Sequence, residues 1–422
     1  VNLSMLTQFN RWIGGGAVEE QKLREISLEY KEAELVSATN SFDPSRRLGS
    51  GNYGCVYRGT LKDGHEVAIK VIEVDEDDTS GFADEVLVLS KFRHPNLVTL
   101  MGWGSGLDED GCGRRYLVYE LLEGGDVAGR LAKARGKNGV VTPFSWNERL
   151  WVALDAACGL SHMHNSTPKA FHRDIKSANI LLDRSGTAKM ADFGLSGIAK
   201  NKNKLNMTCE QISGTPGYAC PHYIKTGKVT EATEVYAYGM VVMEMLLNTM
   251  PACMGQNGTI VYPIFQIVMP QAEGALQRAV SSADANAQWP SAVARDVAEL
   301  SLVCSAHEER RRPHFTDVGK RLRELCQEHC GGQRPAPGGA WQTQPTQPTQ
   351  PQMGAPSAPS AAANATNPQM GPGHAPGPGH GGAANATKPQ MGFGDAGAAG
   401  PVTKPQMGIP GANGASNVTK PQ

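Results

Sequence analysis

Apolar and polar positions along this chain fall into three regimes: short alternating runs, a few helical stripes, and a long final stretch with neither period. Val56-Tyr57-Arg58-Gly59 and Glu66-Val67-Ala68-Ile69-Lys70 predict two strands, and Lys62-Asp63-Gly64 between them predicts a hairpin turn. Leu117-Val118-Tyr119-Glu120-Leu121-Leu122 predicts a further strand that runs out into a connector. Ile180-Leu181-Leu182-Asp183 and Ala188-Lys189-Met190-Ala191 predict two short apolar strands. Phe82, Val86 and Leu89 share one face of a predicted helix, and Val235 to Leu247 predicts a buried helix that carries Glu244. Ahead of these, Trp12-Ile13-Gly14-Gly15-Gly16 predicts a turn and Gln21 to Tyr30 a short helix.

The final stretch changes the picture of domain content. Residues 333–422 carry Arg334, Lys388, Lys404 and Lys420 against Asp395, and are rich in Pro, Gly, Ala, Asn and Thr. Too few large apolar groups are present to offset the entropy of ordering, so disorder is expected. Pro-Gln-Met-Gly recurs unevenly, starting at Pro351, Pro368, Pro389 and Pro405, which argues against a stacked solenoid. As a flexible chain its ends would lie on the order of 50 Å apart, and an inert spacer is the expected role.

Charge and composition mainly exclude. Formal charge is -1 with 40% apolar residues, so a packed core is expected and a nucleic-acid partner is not. Nine cysteines form neither a paired metal motif nor a compact disulfide framework, so reduced thiols in a cytoplasmic domain are expected. No apolar run is long enough for a membrane span, although the chain does not begin with Met and an upstream membrane segment stays open.

Chemistry concentrates in His172-Arg173-Asp174-Ile175-Lys176-Ser177-Ala178-Asn179, followed thirteen positions later by Asp192-Phe193-Gly194. Transfer of the terminal phosphoryl group of ATP to an alcohol needs a positioned hydroxyl and neutralised phosphate charge more than covalent help. Asp174 is the expected hydroxyl-orienting base, Asn179 and Asp192 the expected Mg2+ ligands, and Lys176 a cation near the transferred group. A solvated loop of unrelated charges is the bland alternative. The two predicted strands argue against it, because they put both motifs at strand ends where side chains converge. Upstream, Gly49-Ser50-Gly51-Asn52-Tyr53-Gly54 has the spacing of a phosphate-covering loop, and it runs on into a strand where a dinucleotide site would run into a helix. Lys70 is the expected anchor of the α- and β-phosphates.

Together these motifs resemble the eukaryotic protein kinases, with Lys176 resembling the serine/threonine-specific branch. The resemblance implies an α+β, two-lobed fold: a small, mostly β lobe with one helix over about 43–119, and a mostly α lobe over about 123–329. Residues 1–42 are then a flank, and 333–422 a disordered tail. It also implies Glu85 as the partner of Lys70, four residues before Leu89; by their charge pattern Asp84 reads as a surface helix charge and Asp75-Glu76-Asp77-Asp78 as a solvated acidic loop. Gly49, Ser50, Gly51, Asn52 and Gly54 would cover ATP, while Val56, Ala68, Tyr119, Glu120 and Leu122 would line its pocket, Tyr119 limiting the depth.

Glu34 to Phe42 and Trp146 to His164 resemble the plant receptor-like kinases and their Pelle and interleukin-receptor-associated relatives. Protein substrates with serine or threonine acceptors follow from this likeness. Arg173 implies an activation segment ordered by phosphate, with Thr208 and Ser213 as candidates ahead of Ser196. Thr215 resembles a threonine that binds the catalytic aspartate and lysine. Two positions depart from the family pattern. His222 replaces a glutamate that would pair with Arg312, a loss of about 3 to 5 kcal/mol if the charge stays buried and unpaired. Glu234 replaces an aspartate, an overpacking of roughly 1 to 3 kcal/mol if the backbone cannot adjust. A kinase-shaped scaffold is the alternative these departures raise.

Overall fold

Alternation along the strands builds the first half of the structure. The computed structural model describes residues 20–51, 54–73, 80–107, 113–136, 141–199, 206–209, 212–270 and 272–335. The expectations for the Trp12–Gly16 turn, Asn52, the 75–78 acidic loop and the tail beyond Pro335 lie outside these residues. Strands β1 (Arg47–Gly51), β2 (Gly54–Thr60), β3 (Glu66–Glu73), β4 (Leu100–Leu107) and β5 (Gly113–Glu120) form one antiparallel sheet in the order β1-β2-β3-β5-β4.

Side chains on β5 alternate between two cores. Tyr116 and Val118 join Val67, Ile69, Leu61 and Leu35 on the outer face, whereas Leu117 and Tyr119 join Phe82, Val86 and Trp103 on the inner one. A one-residue register slip would exchange these sets, so both faces enforce the pairing. Full burial of each aliphatic side chain is worth about 1.5 to 3 kcal/mol. Helix α3 (Ser80–Lys91) crosses the inner face, burying Phe82, Val86 and Leu89 as their spacing predicts.

Residues 20–42 pack on the outside of this lobe. A helix α1 over residues 20–26 is followed by α2 (Glu32–Ala38), and Leu23, Leu35 and Ala38 are buried. The expected helix to Tyr30 stops early because Trp103 N–H donates to Leu28 O at 2.9 Å and Tyr30 N–H to Trp103 O at 2.7 Å. The segment there is extended and pairs with the edge of β4, which satisfies backbone groups that a helix end would leave open.

The second lobe is mainly helical. Its long helix α5 (Trp146–Asn165) begins at a capping box between Ser145 and Glu148, and α7 (Glu231–Leu247) begins at one between Thr230 and Thr233. Nearly every residue of α7 is buried, as its apolar circumference requires. Helices α10 (Ser291–Cys304) and α11 (Phe315–Cys330) pack against α7 and α5. No helix among the described residues is long and apolar enough to cross a membrane. All eight cysteines of the described residues are free thiols.

Candidate active site

Between the lobes, two short antiparallel strands, β8 (Ile180–Leu182) and β9 (Ala188–Met190), carry the two motifs at their ends. Ile180 pairs with Met190, so the chain just before β8 and just after β9 must lie side by side. Ala191 N–H donates to Asn179 O at 2.8 Å, tying the two motifs directly. Asp192 has φ +62°, a backbone region unusual for a residue other than glycine, and this bend aims its carboxylate back toward β3.

Lys70 Nζ is 3.1 Å from Glu85 Oε2 and 3.1 Å from Asp192 Oδ1. Sheet, helix and motif therefore meet at one ammonium. Burial alone would depress the Lys70 pKa, but the two carboxylates outweigh it and hold the group above its ordinary value. Asp192 shows the converse: burial pushes it up, yet the Lys70 charge wins and its pKa falls below the usual range. Glu85 is held three ways, since Tyr119 Oη donates to Oε1 at 2.6 Å and Phe193 N–H donates to the same oxygen at 3.1 Å. Asp84 beside it is exposed.

A second cluster surrounds Asp174, which is buried on the loop between β7 (Ala170–Phe171) and β8. Thr215 Oγ1 donates to its Oδ1 at 2.8 Å, and Lys176 Nζ to its Oδ2 at 2.6 Å. Asn179 Nδ2 donates to the Asp174 carbonyl at 2.8 Å and to Oδ2 at 3.1 Å. Lys176 also donates to Thr215 Oγ1 at 3.2 Å. Because Asn179 uses its amide N–H groups on Asp174, Oδ1 is the atom left to face a cation. That oxygen and the ionised Asp192 carboxylate suit Mg2+, a hard ion that prefers oxygen donors.

The remaining expected residues lie on strands β1, β2, β3 and β5 or just past β5. Gly49, Ser50 and Gly51 lie on β1 and Gly54 opens β2, with Gly51 opposite Gly54; Asn52 lies outside the described residues. Val56 sits opposite Lys70, and Ala68 opposite Tyr119. Glu120 ends β5, where its side chain binds Lys189 Nζ at 2.8 Å, and Leu122 is part-buried just beyond it.

One model of the protein kinase domain matches residues 42–322. The chain belongs to the protein kinase family. Among its relatives, the rice receptor protein kinase WSS1 (Oryza sativa subsp. japonica) is 36% identical over 301 residues, covering 70% of this chain and 32% of the relative. LysM domain receptor-like kinase 3 of Arabidopsis thaliana is 37% identical over 235 residues, 56% of this chain and 34% of the relative. The probable serine/threonine-protein kinase PBL28 of the same plant is 39% identical over 238 residues, 54% of this chain and 60% of the relative. The chain thus spans about a third to three fifths of the length of these kinases.

Both departures from the kinase pattern have a structural answer. Glu234 is buried and spans two groups: it lies 2.6 Å from His164 Nε2 and accepts the Arg173 N–H at 2.5 Å. The extra methylene is therefore accommodated with both bonds made. Arg312 is not left bare either. Its guanidinium donates to the carbonyls of Ala306 (2.7 Å), Ala232 (2.8 Å) and His307 (3.2 Å) and to Cys220 Sγ (3.1 Å), and lies 5.0 Å from the Tyr236 ring centroid. His222 lies 3.4 Å from one oxygen of Glu309, whose other oxygen is 4.0 Å from Arg312 Nη1. Carbonyl dipoles and a π face replace much of what a single carboxylate would supply.

Sequence reading did not anticipate the Tyr119–Glu85 bond, nor the buried chain in which Tyr218 Oη donates to Glu244 at 2.6 Å and meets Ser177 Oγ at 3.1 Å. No local pattern announces a contact between a strand and a helix, or between the activation segment and α7. Ser196 is buried, with Oγ donating to His172 O at 3.2 Å, while Thr208 is exposed and Ser213 part-buried. Arg173 Nε is buried with no hydrogen-bond partner among the described residues.

Proposed function

We propose that this chain is a protein serine/threonine kinase, transferring the γ-phosphoryl group of ATP to serine or threonine hydroxyls of proteins. The observation that carries the reading is the fixed Asp174 carboxylate, held by Thr215, Lys176 and Asn179 beside the Lys70–Asp192 pair. A carboxylate so held can orient an acceptor hydroxyl and take its proton as the oxygen attacks phosphorus. Lys176 adds positive charge beside the negatively charged oxygens of the transferred phosphoryl group, and Lys70, kept ionised by its two carboxylates, binds the α- and β-phosphates. Asn179 and Asp192 would hold Mg2+, which when bound would neutralise charge on the phosphates. Gly49, Ser50, Gly51, Asn52 and Gly54 cover the nucleotide, and Val56, Ala68, Tyr119, Glu120 and Leu122 line its pocket. The kinase domain is assigned to 43–329 and to the cytoplasm, with 333–422 as a tail.

The test incubates the full chain and its Asp174→Asn form with labelled ATP, magnesium and a generic protein acceptor, followed by phosphoamino-acid analysis. Transfer should fall at least about a hundredfold in the variant, with ATP binding retained. Undiminished transfer by the variant, or ATP binding without transfer by the parent, would overturn the reading in favour of a scaffold.

A further inference from the structure

Pairing of Lys70 with Glu85 depends on the position of α3, and the buried face of α3 that carries Glu85 also meets side chains supported by residues 20–30. Phe82 lies three residues before Glu85, so the two share one side of the helix and move together. Two contacts seat Phe82, and a third side chain shares its core. The Trp103 ring meets it edge-on, with centroids 6.0 Å apart at 74°. The Arg115 guanidinium stands 5.7 Å from its ring centroid. Leu23 of α1 is buried in the same contiguous core as Phe82, Val86 and Leu89.

Each of these features answers to residues 20–30. Trp103 has both backbone groups bonded by the extended segment, accepting from Tyr30 N–H and donating to Leu28 O. Arg115 is ion-paired with Glu20 on α1. Arg24, one turn along, bonds Glu29 at 2.6 Å and lies 3.5 Å from Glu20, which ties α1 to the segment that pairs with β4. The small lobe thus receives a continuous set of contacts from α1, through Trp103 and Arg115, to Phe82.

We propose that residues 20–30 are a positioning element for Glu85, holding α3 in the rotation that brings its carboxylate to Lys70. Without this buttress α3 keeps its inner contacts through Glu85 itself but loses the support behind Phe82. The Lys70–Glu85 pair then forms for a smaller fraction of the time, and turnover falls with that population. This rests on the kinase reading above.

The experiment uses the full chain with Leu23→Ala, Glu20→Arg, Arg115→Glu, and the charge-exchanged Glu20→Arg/Arg115→Glu double variant. Two quantities are measured: kcat and the KM for ATP on a generic acceptor, and amide hydrogen exchange in residues 80–91 with residues 231–247 as internal reference. In the single variants kcat should fall about tenfold, and exchange in 80–91 should accelerate by about the same factor while 231–247 stays unchanged. The double variant should recover most of both relative to Glu20→Arg. Unchanged exchange in 80–91, equal acceleration in 231–247, or no recovery in the double variant would overturn the proposal. Exchange is recorded without substrate, so it judges the buttress even if the parent shows no Asp174-dependent transfer. That last result would sink the kinase reading instead.

Discussion

At Glu85 a single carboxylate serves a lysine, a tyrosine and a backbone amide, so its position is set by three elements at once. Tyr119→Phe removes one of these bonds from a buried charged group and should destabilise the fold by about 1.5 to 3 kcal/mol, read as a shift in denaturant midpoint. A midpoint equal to the parent's would show that the phenol bond is dispensable. Glu244 poses a different problem. Burial, only partly offset by hydrogen bonds from Tyr218 and Ser177, pushes its pKa up to about 7 from 4.5. Folding therefore favours the neutral form, and that contribution is complete below pH 4.5 and lost as pH rises through about 7. The stability gap between Glu244→Gln and the parent should shift in favour of Gln by about 2 to 3 kcal/mol between roughly pH 5 and pH 8. Urea unfolding at both pH values checks this, and a gap independent of pH contradicts it.

Among the elements, β4 shows how glycine admits a neighbouring segment. A Cβ on Gly104 would stand 2.8 Å from the carbonyl oxygen of Tyr30, and one on Gly102 would collide with that of Leu28. Side chains there would push residues 28–30 off the sheet edge. Gly104→Val should lower stability by about 1 to 3 kcal/mol and open the segment to limited proteolysis near residues 27–31. A variant that keeps both its melting temperature and its protease resistance would mean the edge pairing is loose. The α3 stripe, the β2–β3 hairpin and the buried α7 were all legible beforehand, because each depends on a period within a few residues. The extended pairing of residues 28–30 was not, because its partner strand lies more than seventy residues away in sequence.

Across the whole molecule, the two lobes are joined by charge on either side of the connector. Glu120 at the end of β5 binds Lys189 on β9, and Glu123 pairs with both Arg58 on β2 and Arg184 just past β8. Arg334, past the end of α11, forms a two-pronged pair with Asp155 at 2.7 and 2.8 Å, so the chain leaves the large lobe from a fixed point. Lys189→Met should lower the urea midpoint by an amount worth about 1 kcal/mol, with the m-value unchanged and the effect reduced in 1 M salt. Loss of the same size in high salt would point to packing by the lysine stem instead.

From the chain alone came the chemical inventory: Asp174, Lys176, Asn179 and Asp192 sit in two short motifs, and neighbouring strands put those motifs at adjacent ends. Local spacing suffices for that, since each motif is held by the backbone of the strand next to it. Tertiary structure decided which groups meet. Tyr218 reaches Glu244 across 26 residues and Tyr119 reaches Glu85 across 34, and both contacts depend on how helices and sheet pack. It also decided the fate of the two departures. Glu234 reaches its partners, and Arg312 finds three carbonyls together with the more distant Glu309 carboxylate, because a buried charge is stabilised by every dipole around it and a one-dimensional pattern names only one.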